Sequence, residues 1–70
     1  MPLVTVDMLP GRTQEQKDAL SKRIVEAMGE EMDVPPQAIW IIYRDTEAGD
    51  WFMADKSLAQ IKREREAGGG

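Results

Sequence analysis

Seventy residues with 41% apolar and 31% charged side chains describe one small, soluble globular domain rather than a disordered chain. A chain this short buries only about 60% of the surface its unfolded form exposes, so it is marginal alone and needs disulfides, a metal or oligomerisation. Cysteine and histidine are both absent, which excludes disulfides and ordinary zinc sites, and the net charge of −4 argues against a nucleic-acid partner. Oligomerisation is the remedy that remains. No apolar run approaches the roughly 18 residues of a spanning helix, and the first residues lack the basic and apolar regions of a signal peptide. The expected location is the cytoplasm, away from any membrane.

Met1-Pro2 opens the chain with a chemical option. If Met1 is removed, the ring nitrogen of Pro2 changes from an amide into a secondary amine that can take up a proton. A small residue after Met1 favours that removal.

Leu3 to Leu9 alternates, with Val4, Val6 and Met8 on one face and Leu3, Thr5, Asp7 and Leu9 on the other, which predicts a half-buried strand. Pro10-Gly11 marks a turn. Thr13 and Gln16 form a capping-box pattern, so a helix is predicted from Gln14 to about Met32, with an apolar stripe of Leu20, Ile24, Val25, Ala27, Met28 and Met32. Asp33-Val34-Pro35-Pro36 ends it. Ala38 to Arg44 reads as a second strand, with Ile39, Ile41 and Tyr43 on one face and Trp40, Ile42 and Arg44 on the other. Strand, helix and strand without a hairpin return predict a βαβ unit with parallel strands.

Glu47-Ala48-Gly49-Asp50 reads as a turn and Trp51-Phe52-Met53 as part of a small hairpin. Lys56 to Glu66 reads as a frayed helical turn or a partner-wrapping arm, and its run Lys62 to Glu66 as a solvated charge cluster. The expected fold class is α/β (α+β): one domain over residues 1–70, with 66–70 as a disordered tail. A lone βαβ unit leaves two sheet edges and a face carrying Trp40 and Ile42 uncovered, which calls for a dimer or more.

Pro2, the segment Gly11-Arg12-Thr13-Gln14-Glu15-Gln16-Lys17, the βαβ layout and Trp51 after a glycine-containing turn together resemble 4-oxalocrotonate tautomerase and its short-chain relatives. The resemblance covers residues 2 to 54. It implies a hexamer built as a trimer of dimers, homomeric or mixed, with active sites at subunit boundaries and no cofactor or metal. It also implies proline-based proton transfer on a small unsaturated carboxylate, of the kind met in aromatic catabolism. Arg12 matches the arginine that handles a substrate carboxylate, and Trp51 the aromatic that keeps the base in an apolar pocket. The family's second arginine falls at Trp40 here, and its glycine-rich hairpin is replaced by Phe52-Met53-Ala54-Asp55-Lys56.

The expected function is therefore a cofactor-independent keto-enol isomerase with Pro2 as general base. Arg12, Trp51, Trp40 and Ile42 are the substrate-contacting candidates. Arg suits a carboxylate because its planar fork binds both oxygens. Trp40 is read as subunit packing or a pocket wall, and Arg44 as a surface or interface ion-pair partner. Two alternatives stand beside this reading. One is a lyase-type relative that hydrates or dehalogenates unsaturated acids, needing Asp7, Asp50 or Asp55 near Pro2. The other is a non-catalytic subunit of a mixed hexamer.

Overall fold

The computed structural model of the chain describes residues 1–68. Strand β1 covers Leu3–Met8, one residue shorter than expected because the turn at Leu9-Pro10 leaves the ladder. Its Val4, Val6 and Met8 are half-buried while Leu3, Thr5 and Asp7 are exposed, the period-two pattern of a sheet covered on one side.

Helix α1 covers Gln14–Met32 and starts on the expected capping box. The Gln16 N–H donates to Thr13 Oγ1 at 3.1 Å, and the Thr13 N–H donates to Gln16 Oε1 at 2.9 Å. At the other end Asp33 takes a left-handed conformation (φ 54°), and its N–H donates to the Gly29 carbonyl at 3.1 Å. The helix is thus closed before the two prolines, which instead introduce a 3-10 turn at Pro36–Ala38. That turn removes Ala38 from the expected second strand, because the Ala38 and Ile39 N–H groups bond the Pro35 and Pro36 carbonyls at 3.0 and 3.1 Å. Strand β2 accordingly covers Trp40–Asp45.

β1 and β2 pair in parallel, from Leu3 opposite Trp40 to Met8 opposite Asp45. The ladder is extended at both ends, by the Trp40 N–H to the Pro2 carbonyl at 3.0 Å and the Thr46 N–H to the Met8 carbonyl at 2.8 Å. Polar contacts tie α1 to the sheet. The Tyr43 hydroxyl donates to the Lys17 carbonyl at 3.2 Å and lies 2.8 Å from Ser21 Oγ, which itself donates to that carbonyl at 2.7 Å. Lys17, Ser21, Ile24, Val25, Met28 and Gly29 are the half-buried positions of the helix, whereas Leu20, Ala27 and Met32 of the expected stripe are exposed.

After a second 3-10 turn at Ala48–Asp50, β3 (Phe52–Met53) and β4 (Lys56–Ser57) form the expected hairpin. Ala54 supplies its left-handed residue at φ 60°, without the glycine that such a position favours. The segment that follows departs from expectation. Lys56 to Glu66 is more than a frayed helical turn, because α2 is a regular helix over Leu58–Gly68. The Gln60 N–H donates to Ser57 Oγ at 3.1 Å, capping its first turn, and Lys56 Nζ reaches across to Glu64 at 3.0 Å. Residues 66–68, expected in the loose tail, close this helix; residues 69 and 70 lie outside the described residues.

Little of this is buried. Ile39, 8% exposed, is the buried apolar residue, and no side chain among the described residues is wholly enclosed. The radius of gyration is 16.7 Å, against about 11 Å for a compact chain of this length, and the molecule measures 50 × 24 × 17 Å. No described helix is long and apolar enough to cross a membrane.

Candidate active site

Pro2 precedes the first residue of β1 and is half-buried. While Met1 remains attached, its nitrogen is an amide nitrogen with no basic lone pair. Its carbonyl is held by the Trp40 N–H, so the start of β2 fixes the start of β1. Leu3 lies opposite Trp40 and Thr5 opposite Ile42. Alternation therefore places Leu3, Trp40 and Ile42 together on the face that α1 does not cover, where they are 56%, 57% and 45% exposed. Of the expected site residues, Trp40 and Ile42 share this face, while Pro2 is joined to Trp40 through the backbone and alternates to the other face with Val4 and Val6. Sequence reasoning does not single out Leu3, although the same period of two assigns it to the face of Trp40.

Arg12 stands elsewhere. It follows Gly11, whose φ of 122° turns the chain out of β1, and it precedes the helix cap at Thr13. The path from Pro2 to Met8 spans about 20 Å at the rise of an extended strand, so Arg12 belongs to the opposite end of β1. Trp51 lies at that far end too. It is half-buried behind the Ala48–Asp50 turn, with its carbonyl accepting from the Leu58 N–H at 2.8 Å. Pro2, Arg12 and Trp51 are not gathered within one chain.

The carboxylates named for a hydrating reaction are not gathered around Pro2 either. Asp7 is five residues along β1, on the order of 16 Å away, and pairs with Arg44 at 3.3 Å. That pair is well exposed on both sides, as the surface ion-pair reading of Arg44 expects. Asp50 ends a 3-10 turn and Asp55 sits in the hairpin loop, both beyond the far end of β2.

An open cleft of about 480 Å³ lies where α2 meets the end of β1, lined by Leu9, Pro10, Ala48, Leu58, Ile61 and the charged Glu47, Lys62 and Arg65. It contains none of the expected site residues.

Comparison with known proteins agrees with this frame. Residues 2–61 match the family model described as "Tautomerase enzyme", so the match opens on Pro2 and runs past residue 54, through the hairpin and into α2. A "Probable tautomerase" of Streptococcus pneumoniae serotype 4 is 40% identical over 52 residues, covering 74% of this chain and 87% of the relative. The crystal structure of YwhB, a homologue of 4-oxalocrotonate tautomerase, superposes with a TM-score of 0.77 at 34% identity, covering 83% of this chain and 95% of that one. TomN, a 4-oxalocrotonate tautomerase homologue in the tomaymycin biosynthetic pathway, gives a TM-score of 0.79 at 30% identity over 99% of this chain and 100% of its own. The βαβ unit, the strand end at Pro2 and the match across 2–61 make this chain a member of the tautomerase enzyme family, among the relatives of 4-oxalocrotonate tautomerase.

Proposed function

We propose that the protein is a cofactor-independent keto-enol tautomerase of small unsaturated 2-oxo or 2-hydroxy acids, with Pro2 as general base once Met1 is removed. The observation that carries this reading is the position of Pro2. It is half-buried at an open strand end, on the residue where the family match begins. In the ketonising direction the ring nitrogen takes the hydroxyl proton of the enol as the C=O bond forms. The C=C electron pair moves onto carbon, and the same proton is returned there. Substrate and product are isomers, so no oxidant or reductant enters.

For this to work at neutral pH the amine must be kept from holding its proton too tightly, which desolvation and a nearby cation accomplish. Trp51 is assigned the first role and Arg12 part of the second, together with the grip on the substrate carboxylate. Since both lie about 20 Å from the Pro2 of their own chain, the reading requires them to come from neighbouring copies. It is therefore tied to a symmetric assembly, a homohexamer built as a trimer of dimers, acting in the cytoplasm on a freely diffusing acid.

Intact-mass measurement should find the chain lacking Met1. The trimmed protein should ketonise phenylenolpyruvate or 2-hydroxymuconate well above the buffer rate. Pro2→Ala should lower kcat/KM by roughly a hundredfold or more, the usual worth of a positioned general base. Arg12→Ala should cost about 10- to 100-fold, as expected for a lost charge-assisted hydrogen bond to a carboxylate. A trimmed, folded protein that leaves both substrates at the buffer rate would overturn the reading and favour a non-catalytic subunit.

A further inference from the structure

Every segment that reaches the Pro2 end of the molecule shares one property. β1 begins there, α1 and the 3-10 turn return the chain there, and β2 begins there. Residues 1–11 and 24–43, which supply these segments, contain no lysine or arginine. Their charged residues are all acidic: Asp7, Glu26, Glu30, Glu31 and Asp33. The first cation met along β2 is Arg44, four residues and about 13 Å beyond Trp40, and it is already paired with Asp7 at 3.3 Å.

What this end offers instead is apolar surface. Trp40 is held to Pro2 through its N–H and faces Leu3 across the ladder. Strand spacing and the Cα–Cα step put the Trp40 and Pro2 α-carbons about 6 Å apart. Ile42 continues the surface two residues on, opposite Thr5, whose hydroxyl is uncharged. A substrate anchored by one carboxylate on Arg12 of another copy would turn its other end toward this indole and these aliphatic side chains. A second carboxylate there would meet apolar walls, with no cation from these segments of the chain to take it up. Desolvating an unpaired carboxylate is costly, whereas an aromatic ring against indole is favoured.

We infer that the site takes enol acids with a single carboxylate and an apolar, aryl-sized far end in preference to diacids, and that Trp40 sets this preference. The inference rests on the reading of Pro2 as the base.

The test compares kcat/KM of the trimmed protein for phenylenolpyruvate, an aryl monoacid, with that for 2-hydroxymuconate, a diacid. The aryl substrate should be favoured by at least about tenfold, the low end of what one missing charge-assisted contact is worth. Trp40→Arg should move the ratio toward the diacid by roughly 10- to 100-fold. Trp40→Phe, which keeps an aromatic wall and is the milder change for folding, should keep the aryl preference. A wild-type preference for the diacid overturns the inference while leaving Pro2 as the base. So does a ratio that stays constant in both variants while their assembly state changes, since that assigns Trp40 to subunit packing. Activity toward neither substrate defeats the reading of Pro2 itself, and this inference with it.

Discussion

Two non-glycine residues hold left-handed backbone, Asp33 at the end of α1 and Ala54 in the hairpin loop, and they differ in what supports them. Asp tolerates this conformation comparatively well, and Asp33 contributes an N–H that closes the helix. Ala54 has only the strain, on the order of 1–2 kcal/mol. Ala54→Gly removes that strain but adds freedom to the unfolded chain, so a net gain of about 0.5 kcal/mol is expected in urea unfolding. A loss of stability would mean that the Ala54 methyl makes packing contacts in the assembly. Asp7 and Arg44 sit at the other extreme. Their ion pair is exposed, so Asp7→Asn should change stability by no more than about 0.5 kcal/mol in the same assay. The face that each residue takes on its own strand is legible from alternation. The contact itself depends on how the two strands align, which no single strand encodes.

Among the elements, α1 was the most readable because its start, stripe and stop are all local signals. The second helix was missed even though its start carries the same kind of signal. Ser57-x-x-Gln60 repeats the spacing of Thr13-x-x-Gln16, and Ser57 does cap the first turn. The dense charge run after Ile61 drew the reading toward a solvated segment. Yet Leu58, Ile61, Lys62 and Arg65, at helical spacing, share one cleft-facing side. Ser57→Ala should cost about 1 kcal/mol of local stability in α2, detectable as faster amide exchange there than in α1.

The same helix should respond to acid. The Lys56 ammonium, by hydrogen bonding, holds the Glu64 carboxyl below its ordinary value of 4.5. A depressed carboxylate contributes stability above its unfolded pKa, and loses it as pH falls through its folded pKa. Helical signal should therefore decline on acidification below about pH 4.5, and Glu64→Gln should flatten that decline. An identical acid profile in the variant would assign the decline to other carboxylates.

At the scale of the whole molecule, shape is the dominant observation. A radius of gyration of 16.7 Å and a core reduced to Ile39 leave Leu3, Trp40, Ile42, Phe52 and Met53 exposed on one chain. Burying such surface between copies at roughly 25 cal/mol per Å² would supply what the single chain lacks. The melting temperature should therefore rise with protein concentration, and sedimentation should detect no folded monomer at micromolar concentrations. A concentration-independent transition together with a monomeric mass would refute this. The division of the expected site between the two ends of β1 belongs to the same scale. Residues about 20 Å apart along a strand can share one substrate only across a boundary between copies.

By itself the sequence determined the local elements: the alternation of both strands, the capping box, the βαβ order and the shortage of core. Each of these is written in neighbouring residues, where propensity, period and composition act. Tertiary structure alone decided that Trp40 is bonded to Pro2, that Arg44 answers Asp7, that Ala38 is drawn into a turn and that Arg12 stands a full strand away from the proposed base. These depend on strand register and chain path, which are fixed by packing between segments distant in sequence.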